Sequence, residues 1–188
     1  MSAPELVHLT VERGVATITL DSPNNRNALS AQLRRELYDH LESAVADPAA
    51  RVLVLTHTGT VFCAGMDLKE SQAADAQAQG VHEFPAILDL IWTSPKPVLG
   101  RLIGAARAGG IGLVAVCDIV LAADSTTFGF SEVRIGVIPA VISGPVLRAI
   151  PIRAAQELFL TGETFDAVRA ERLGLINRAV PVTSSTTS

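Results

Sequence analysis

The sequence predicts an α/β domain built on a largely parallel sheet, and three observations predict it. Short β-branched runs alternate along the chain with segments of helical periodicity. Those runs are apolar on both faces, the signature of strands covered by helices. The apolar fraction, 48% of 188 residues, comes from Ala, Val, Leu and Ile, while aromatics are 4%, so the core packs small and branched side chains closely. A chain this long buries roughly 70% of its unfolded surface and needs no disulfide or metal staple. Residues 1–181 form one core domain, and 182–188 are a polar tail without periodicity.

The elements follow in order. Val7 to Val11 and Val15 to Leu20, separated by Glu12-Arg13-Gly14, make a hairpin. After the loop from Asp21 to Asn27, Ser30 caps a helix whose Leu33, Leu37, Leu41 and Val45 recur at three-to-four spacing and which ends before Pro48. Val52 to Thr56 is a strand bounded by a turn at Gly59. Lys69 to Gly80 is polar and rich in Ala and Gln, consistent with a mobile helix that lacks an apolar stripe. Phe84, Ile87, Leu88 and Ile91 form a helical stripe that stops at Pro95-Lys-Pro97, and Val98 to Ile103 is a buried strand. A glycine-rich turn from Gly104 to Gly112 leads into a helix through Cys117, followed by a strand at Ile119 to Ala122. A helix over Ala154 to Leu160 ends at Thr161-Gly162, Asp166 caps another that ends at Leu173-Gly174, and Leu175 to Val180 is the last strand.

Several function classes are excluded at this level. Fifteen Lys and Arg against nineteen Asp and Glu give a net charge of -4, with no basic patch interleaved with aromatics, so nucleic acid is not expected as a partner. Cys63 and Cys117 form no CxxC and sit among apolar residues, which fits a reduced, cytoplasmic setting. No secretory signal is expected, and the apolar run from Ile111 to Ala123 is too short to span a membrane. His8, His40, His57 and His82 lack ligand spacing, so no metal site is expected. No serine occupies a GxSxG elbow.

Three segments carry residue combinations that packing alone does not require. In Phe62-Cys-Ala-Gly-Met-Asp-Leu-Lys69, small residues around Gly65 let a ligand approach backbone N–H groups, as an oxyanion site requires; an ordinary tight turn capped by Asp67 is the alternative. In Gly104-Ala-Ala-Arg-Ala-Gly-Gly-Ile-Gly112, paired glycines stand where a helix begins, although close packing also selects glycine. In Phe128-Gly-Phe-Ser-Glu-Val-Arg-Ile-Gly-Val-Ile-Pro139, Glu132 lies between apolar residues, where desolvation raises a carboxyl pKa toward the range of a general base; an exposed or Arg134-paired carboxylate is the alternative.

In chain order, Asn27-Ala-Leu-Ser30, Phe62 to Lys69, Gly109-Gly-Ile-Gly-Leu113 with Cys117-Asp-Ile119, and Phe128 to Glu132 with Gly136-Val-Ile-Pro139 resemble the enoyl-CoA hydratase/isomerase (crotonase) family. The resemblance covers about residues 5 to 181 and continues through Leu160-Thr-Gly162 and Arg172-Leu-Gly-Leu-Ile-Asn177. The stretch from Ser131 to Ser143 looks most like bacterial methylglutaconyl-CoA hydratase-like members. What the resemblance implies is a crotonase (ClpP/crotonase) core of repeated ββα units, with the family's usual C-terminal helical region largely absent. It also implies an acyl-CoA substrate, whose thioester oxygen is held by the N–H groups of Met66 and Gly109. Arg26, Ala28, Ala64, Asp67, Leu68 and Lys69 match the CoA-binding surface, with Lys69 near the nucleotide phosphates. No cofactor is implied beyond the coenzyme A of the substrate, and the assembly implied is a homo-oligomer, trimer or hexamer. Hydratases of the family use two glutamates: the second matches Glu132, and the first falls at Gly112. Glu132 is therefore the single acid/base candidate, for an enoyl-CoA hydratase or isomerase; a non-catalytic acyl-CoA-binding or assembly subunit is the reading from another class.

Overall fold

The computed structural model describes residues 4–67, 69–70 and 74–182. The chain opens with the hairpin of β1 (Val7–Glu12) and β2 (Val15–Leu20). Arg13 and Gly14 both take positive φ, 51° and 86°, the two-residue turn whose twist matches that of its strands. Helix α1 (Ala31–Ala46) starts at Ser30, whose hydroxyl accepts from the Leu33 N–H at 3.3 Å. Its fully buried face is Leu33, Leu37, Leu41 and Ala44 rather than Val45, which is only half-buried. Each buried leucine contributes about 2 kcal/mol to holding α1 in place.

Three ββα units follow. The first is β3 (Val52–His57), β4 (Val61–Cys63) and α2 (Ala74–Trp92); the second is β5 (Val98–Leu102), β6 (Ala105–Arg107) and α3 (Gly109–Val116). The third is β7 (Ile119–Ala123), β8 (Thr127–Gly129), a short 3-10 turn (Ser131–Ile135) and α4 (Ala140–Ala149). The chain continues through α5 (Ile152–Thr161), β9 (Thr164–Asp166), α6 (Ala167–Leu173) and β10 (Arg178–Val180). Gly162 (φ 60°) and Gly174 (φ 86°) end α5 and α6 in the left-handed conformation, and the Asp166 carboxylate caps α6 by accepting from the Arg169 N–H at 2.7 Å.

The first strand of each unit enters a six-stranded sheet ordered β1-β2-β3-β5-β7-β10, and the second enters a four-stranded sheet ordered β4-β6-β8-β9. All pairings of the large sheet are parallel except the opening hairpin. In the small sheet β4, β6 and β8 are parallel, and β9 closes it antiparallel to β8. Between the sheets each chain bends sharply. A Cβ at Gly104 would overlap the Thr60 carbonyl, and the His57 imidazole at one bend accepts from the Ile103 N–H at the next, 3.1 Å away.

The structure revises four expectations. The large sheet is buried on one face only: Ala16, Ile18, Leu53, Leu55, Val98 and Val120 are buried, whereas Ile119, Leu121 and Arg101 on the other face are exposed. Of the helix expected over Lys69 to Gly80, the part from Ala74 joins the one around Phe84 in a single helix, α2, which runs through Pro85 and buries Phe84, Ile87, Leu88 and Ile91, while Lys69 and Glu70 stand before it and 71–73 lie outside the described residues. The last strand is confined to Arg178–Val180, because Leu175 and Ile176 are spent on the core. The small sheet has no counterpart in the sequence reading. Of the polar tail expected at 182–188, only Val182 lies within the described residues. Among them no helix is long and apolar enough to cross a membrane.

Burial holds the His57 pKa below its ordinary 6.5, and the Ile103 N–H needs the neutral ring as acceptor. The folded state therefore binds fewer protons here than the unfolded chain, so this site loses stability as pH falls below about 6.5. His8 has the opposite sign: burial lowers its pKa, but the carboxylates of Asp21 and Glu5 outweigh burial and raise it, so its contribution is lost as pH rises. The His57→Gln variant is expected to flatten the acid-side loss in urea denaturation between about pH 6.5 and 5. An unchanged slope would show that protonation of another group dominates.

Candidate active site

Parallel pairing of β4, β6 and β8 aligns their C-terminal ends, so the turns at 64–67, 108–109 and 130–132 leave the small sheet side by side. These are the three segments whose composition stood out in the sequence. At the first, Gly65 takes φ +90°, and a Cβ there would lie 2.8 Å from the Ala108 methyl and 3.4 Å from the Gly109 nitrogen. Only glycine allows the two turns to approach this closely. At the second, Ala108 itself is held at φ 46°, ψ -122°, a conformation that costs a non-glycine residue about 1–3 kcal/mol. It is fixed by its N–H donating to Gly129 O at 3.1 Å and its carbonyl accepting from Ile111 at 2.8 Å. The bend swings the chain from β6 into α3 and leaves Gly109 as the first residue of the helix.

The Met66 and Gly109 N–H groups have no acceptor among the described residues. The single β-bridge at Met66 pairs it with Leu29, whose N–H donates to Gly65 O at 2.8 Å, and the Leu29 side chain rests against Gly109. Two unsatisfied donors on adjoining turns can hold an oxygen that gains negative charge. In the third turn Glu132 is half-buried, and its Oε2 is buried without a hydrogen-bond partner. Burial pushes its pKa above 4.5, against the opposing pull of its own backbone N–H. Arg134 does not pair with it, since that guanidinium donates to Gly162 O at 2.7 Å. An unpaired carboxylate with a raised pKa is suited to accept a proton.

Around the first turn, the loop at 22–28 is held from within. Asn27 is fully buried at φ 51°; its Oδ1 accepts from Ser22 N–H at 2.7 Å, and its amide donates to Thr58 O and Val61 O at 3.1 and 2.7 Å. Asn25 donates to the Asp67 carboxylate at 2.8 Å, which also accepts from the Lys69 N–H at 2.9 Å. Burial opposes ionisation of Asp67, but these bonds and one from the Glu70 N–H outweigh it and hold the pKa below the usual carboxylate range. Asp67 thus clasps the two loops from inside. Arg26 and Lys69 are exposed on the outer side, Ala64 is partly open, Ala28 is buried, and Leu68 lies outside the described residues.

Gly112 is buried in α3, and the place a side chain would take is filled. A Cβ there would overlap Cγ2 of Ile142 from α4, with Cβ of Ile142 at 3.2 Å and Leu88 Cδ1 at 3.7 Å. Sequence reasoning singled out the glycine at 112 but not the isoleucine packed against it. It also passed over Arg34, whose signal was available: it stands three and seven residues before Leu37 and Leu41, inside the apolar stripe of α1, and it is 3% exposed. A cleft of about 390 Å³ lies away from the three turns, between α1 and α2, with Arg34, Tyr38, Glu83 and Ile87 in its lining. Cys63 and Cys117 are unpaired thiols whose pKa burial pushes up to about 12, so neither is a nucleophile.

The sequence profile of the enoyl-CoA hydratase/isomerase family matches residues 10–186. The hydroxycinnamoyl-CoA hydratase-lyase of Pseudomonas fluorescens is 35% identical over 184 residues, which cover 94% of this chain and 67% of that protein. An enoyl-CoA hydratase structure from Mycobacterium avium superposes with a TM-score of 0.87 at 44% identity, covering 95% of this chain and 71% of the other. The human enoyl-coenzyme A hydratase domain-containing protein 3 gives a TM-score of 0.90 at 30% identity, covering 94% and 71%. This chain thus spans about seven-tenths of the length of both solved relatives.

Overlap with Ile142 has a measurable consequence. Gly112→Ala is expected to cost about 1–3 kcal/mol as an overpacked core site, and Ile142→Ala about 2–5 kcal/mol as a cavity. Together they should cost less than the sum, because the alanine at 112 enters the space the isoleucine vacates. Strict additivity in urea denaturation would show that another neighbour closes the site.

Proposed function

As the chain belongs to the enoyl-CoA hydratase/isomerase family, with the crotonase fold, we propose that it transfers a proton on an acyl-CoA thioester, using Glu132 as its single acid/base group. One observation carries the reading: the buried, unpartnered Oε2 of Glu132 stands in the turn beside the one that holds the unsatisfied Gly109 N–H. The thioester oxygen accepts from the N–H groups of Met66 and Gly109. Each donor aimed at the developing enolate oxygen lowers the barrier by about 3 kcal/mol. With that charge held, Glu132 removes a proton from the α-carbon and returns it to the γ-carbon, moving the double bond. In the hydration variant the carboxylate takes a proton from water as the oxygen adds to the β-carbon, and Glu132 then returns that proton to the α-carbon of the enolate. No cofactor enters either course.

Coenzyme A runs along the outer side of the first turn, where exposed Lys69 meets its phosphates and Arg26, Ala28 and Ala64 belong to the surface it follows. Asp67 keeps those loops in register. The packing of Ile142 on Gly112 favours chemistry that needs one carboxylate, isomerisation or a slow hydration of a methylglutaconyl-CoA-like enoyl thioester. It equally supports a second reading, an acyl-CoA-binding subunit without turnover. Assays on short 2-enoyl-, 3-enoyl- and 3-methylglutaconyl-CoA separate the two, since binding without turnover favours the second. Two unpaired thiols suit a reducing compartment such as the cytoplasm.

Replacing Glu132 by Gln keeps the shape and removes the base, so turnover is expected to fall roughly 10²-fold or more with ligand affinity unchanged. The wild-type acid limb should have its midpoint above 4.5, since the carboxylate must be ionised and burial raises its pKa. Turnover that survives Glu132→Gln refutes the assignment. Calorimetry should find CoA thioesters bound and the free acids not, with Lys69→Ala weakening the esters by about fivefold.

Self-association is also expected. Ile138 (78% exposed) in the segment after the 3-10 turn, and Ile152 (63%) and Leu160 (76%) on α5, leave an apolar surface suited to a second copy of this chain, as in a trimer. Light scattering that finds a strict monomer at micromolar concentration would count against it.

A further inference from the structure

Arg34 is a buried cation that the fold does not need for packing, because a methionine of similar volume would fill its place in the stripe of α1 at no cost in buried charge. Its bonds point elsewhere. Nη1 donates to Leu29 O at 2.7 Å, while Nε and Nη2 both meet one carboxylate oxygen of Glu83, on α2, at 3.0 Å. Leu29 touches both proposed oxyanion donors. Its N–H donates to Gly65 O at 2.8 Å, it pairs in a β-bridge with Met66, and its Cδ1 packs on Gly109, where an added Cβ would come within 3.0 Å of it. Phe84, the neighbour of Glu83, covers the same glycine.

We propose that the Glu83–Arg34 pair positions the oxyanion hole: by holding the Leu29 carbonyl, Arg34 sets the orientation of the Met66 N–H and its spacing from Gly109. Neither charged residue touches substrate. The bridge that fixes Met66 is one residue long, so Leu29 has no neighbouring ladder to orient it, and the Arg34 hydrogen bond supplies that constraint. Glu83, half-exposed, keeps the guanidinium from rotating toward solvent at the rim of the cleft between α1 and α2. A misaligned donor weakens the enolate more than the ground-state thioester, so the effect falls on kcat rather than on KM.

This inference rests on the oxyanion assignment above, and the test distinguishes them. The probe is 4-(dimethylamino)cinnamoyl-CoA, a push–pull chromophore whose absorption moves to longer wavelength when its thioester oxygen is hydrogen-bonded. Wild type should produce that shift. Arg34→Met should lose most of it and lower kcat by about tenfold or more, with KM within about twofold. Arg34→Lys, which can still donate to Leu29 O, should restore most of the shift, and Glu83→Gln should lose part of it. No shift with wild type overturns the oxyanion reading and this inference with it. A wild-type shift that persists in folded Arg34→Met, or an Arg34→Lys that behaves like Arg34→Met, overturns the inference alone. If Arg34→Met fails to fold, Glu83→Gln decides, since its half-exposed side chain leaves folding intact, and a full shift with wild-type kcat overturns the proposal.

Discussion

Parallel pairing of three strands, each three residues long, is the constraint on which the rest of this structure depends. Val61 faces Ala105 and Ala106 faces Phe128, so the chain ends of β4, β6 and β8 point the same way at the spacing of adjacent strands. Whatever follows each strand must start from that edge. Gly65 and Ala108 press together there, Gly110 presses on the Cys63 carbonyl, and Glu132 emerges next to them. Crowding at this edge, more than the large sheet behind it, explains the small residues at 63–65 and 108–110.

What could be read from the sequence follows the length of each element. The hairpin turn at Arg13-Gly14, the cap at Ser30, and the stops at Gly162 and Gly174 have local causes, and each lies where its residues predict. The small sheet does not, because three residues cannot display an alternation that distinguishes a strand from a loop. Its pairing joins segments from 22 to 44 residues apart, which no local pattern encodes. The same holds at the site. Gly65, Gly109 and Glu132 stood out by composition, whereas the contribution of Leu29 is made by its backbone and by a long-range bridge. The half-open face of the large sheet was misread for a simpler reason, since Ile119 and Leu121 look the same whether covered or bare.

Strain and satisfaction are divided unevenly in this molecule. The supporting loops are saturated with hydrogen bonds: Asn27 uses both ends of its amide, and the Asp67 carboxylate accepts from side chain and backbone. The edge where the three turns meet carries the opposite: an alanine at positive φ and, among the described residues, two unspent N–H groups and a buried carboxylate oxygen with no donor. Polar groups left this way are costly in a folded chain, and they persist where the surroundings over-determine the backbone.

Short strands also bear on how the molecule comes together. The three turns belong to three separate ββα units, and a partly folded chain that has formed the large sheet and α1 but not the small one would hold the part of the core built on those elements without Phe62, Phe128 and Phe130, and without a site. Parallel strands joined by long crossovers are slow to pair, and ladders of two or three registered residues are the first to open in native fluctuations. The candidate site therefore belongs to the elements expected to close last and release first. The geometry of that site is thus expected to be lost on warming ahead of global unfolding.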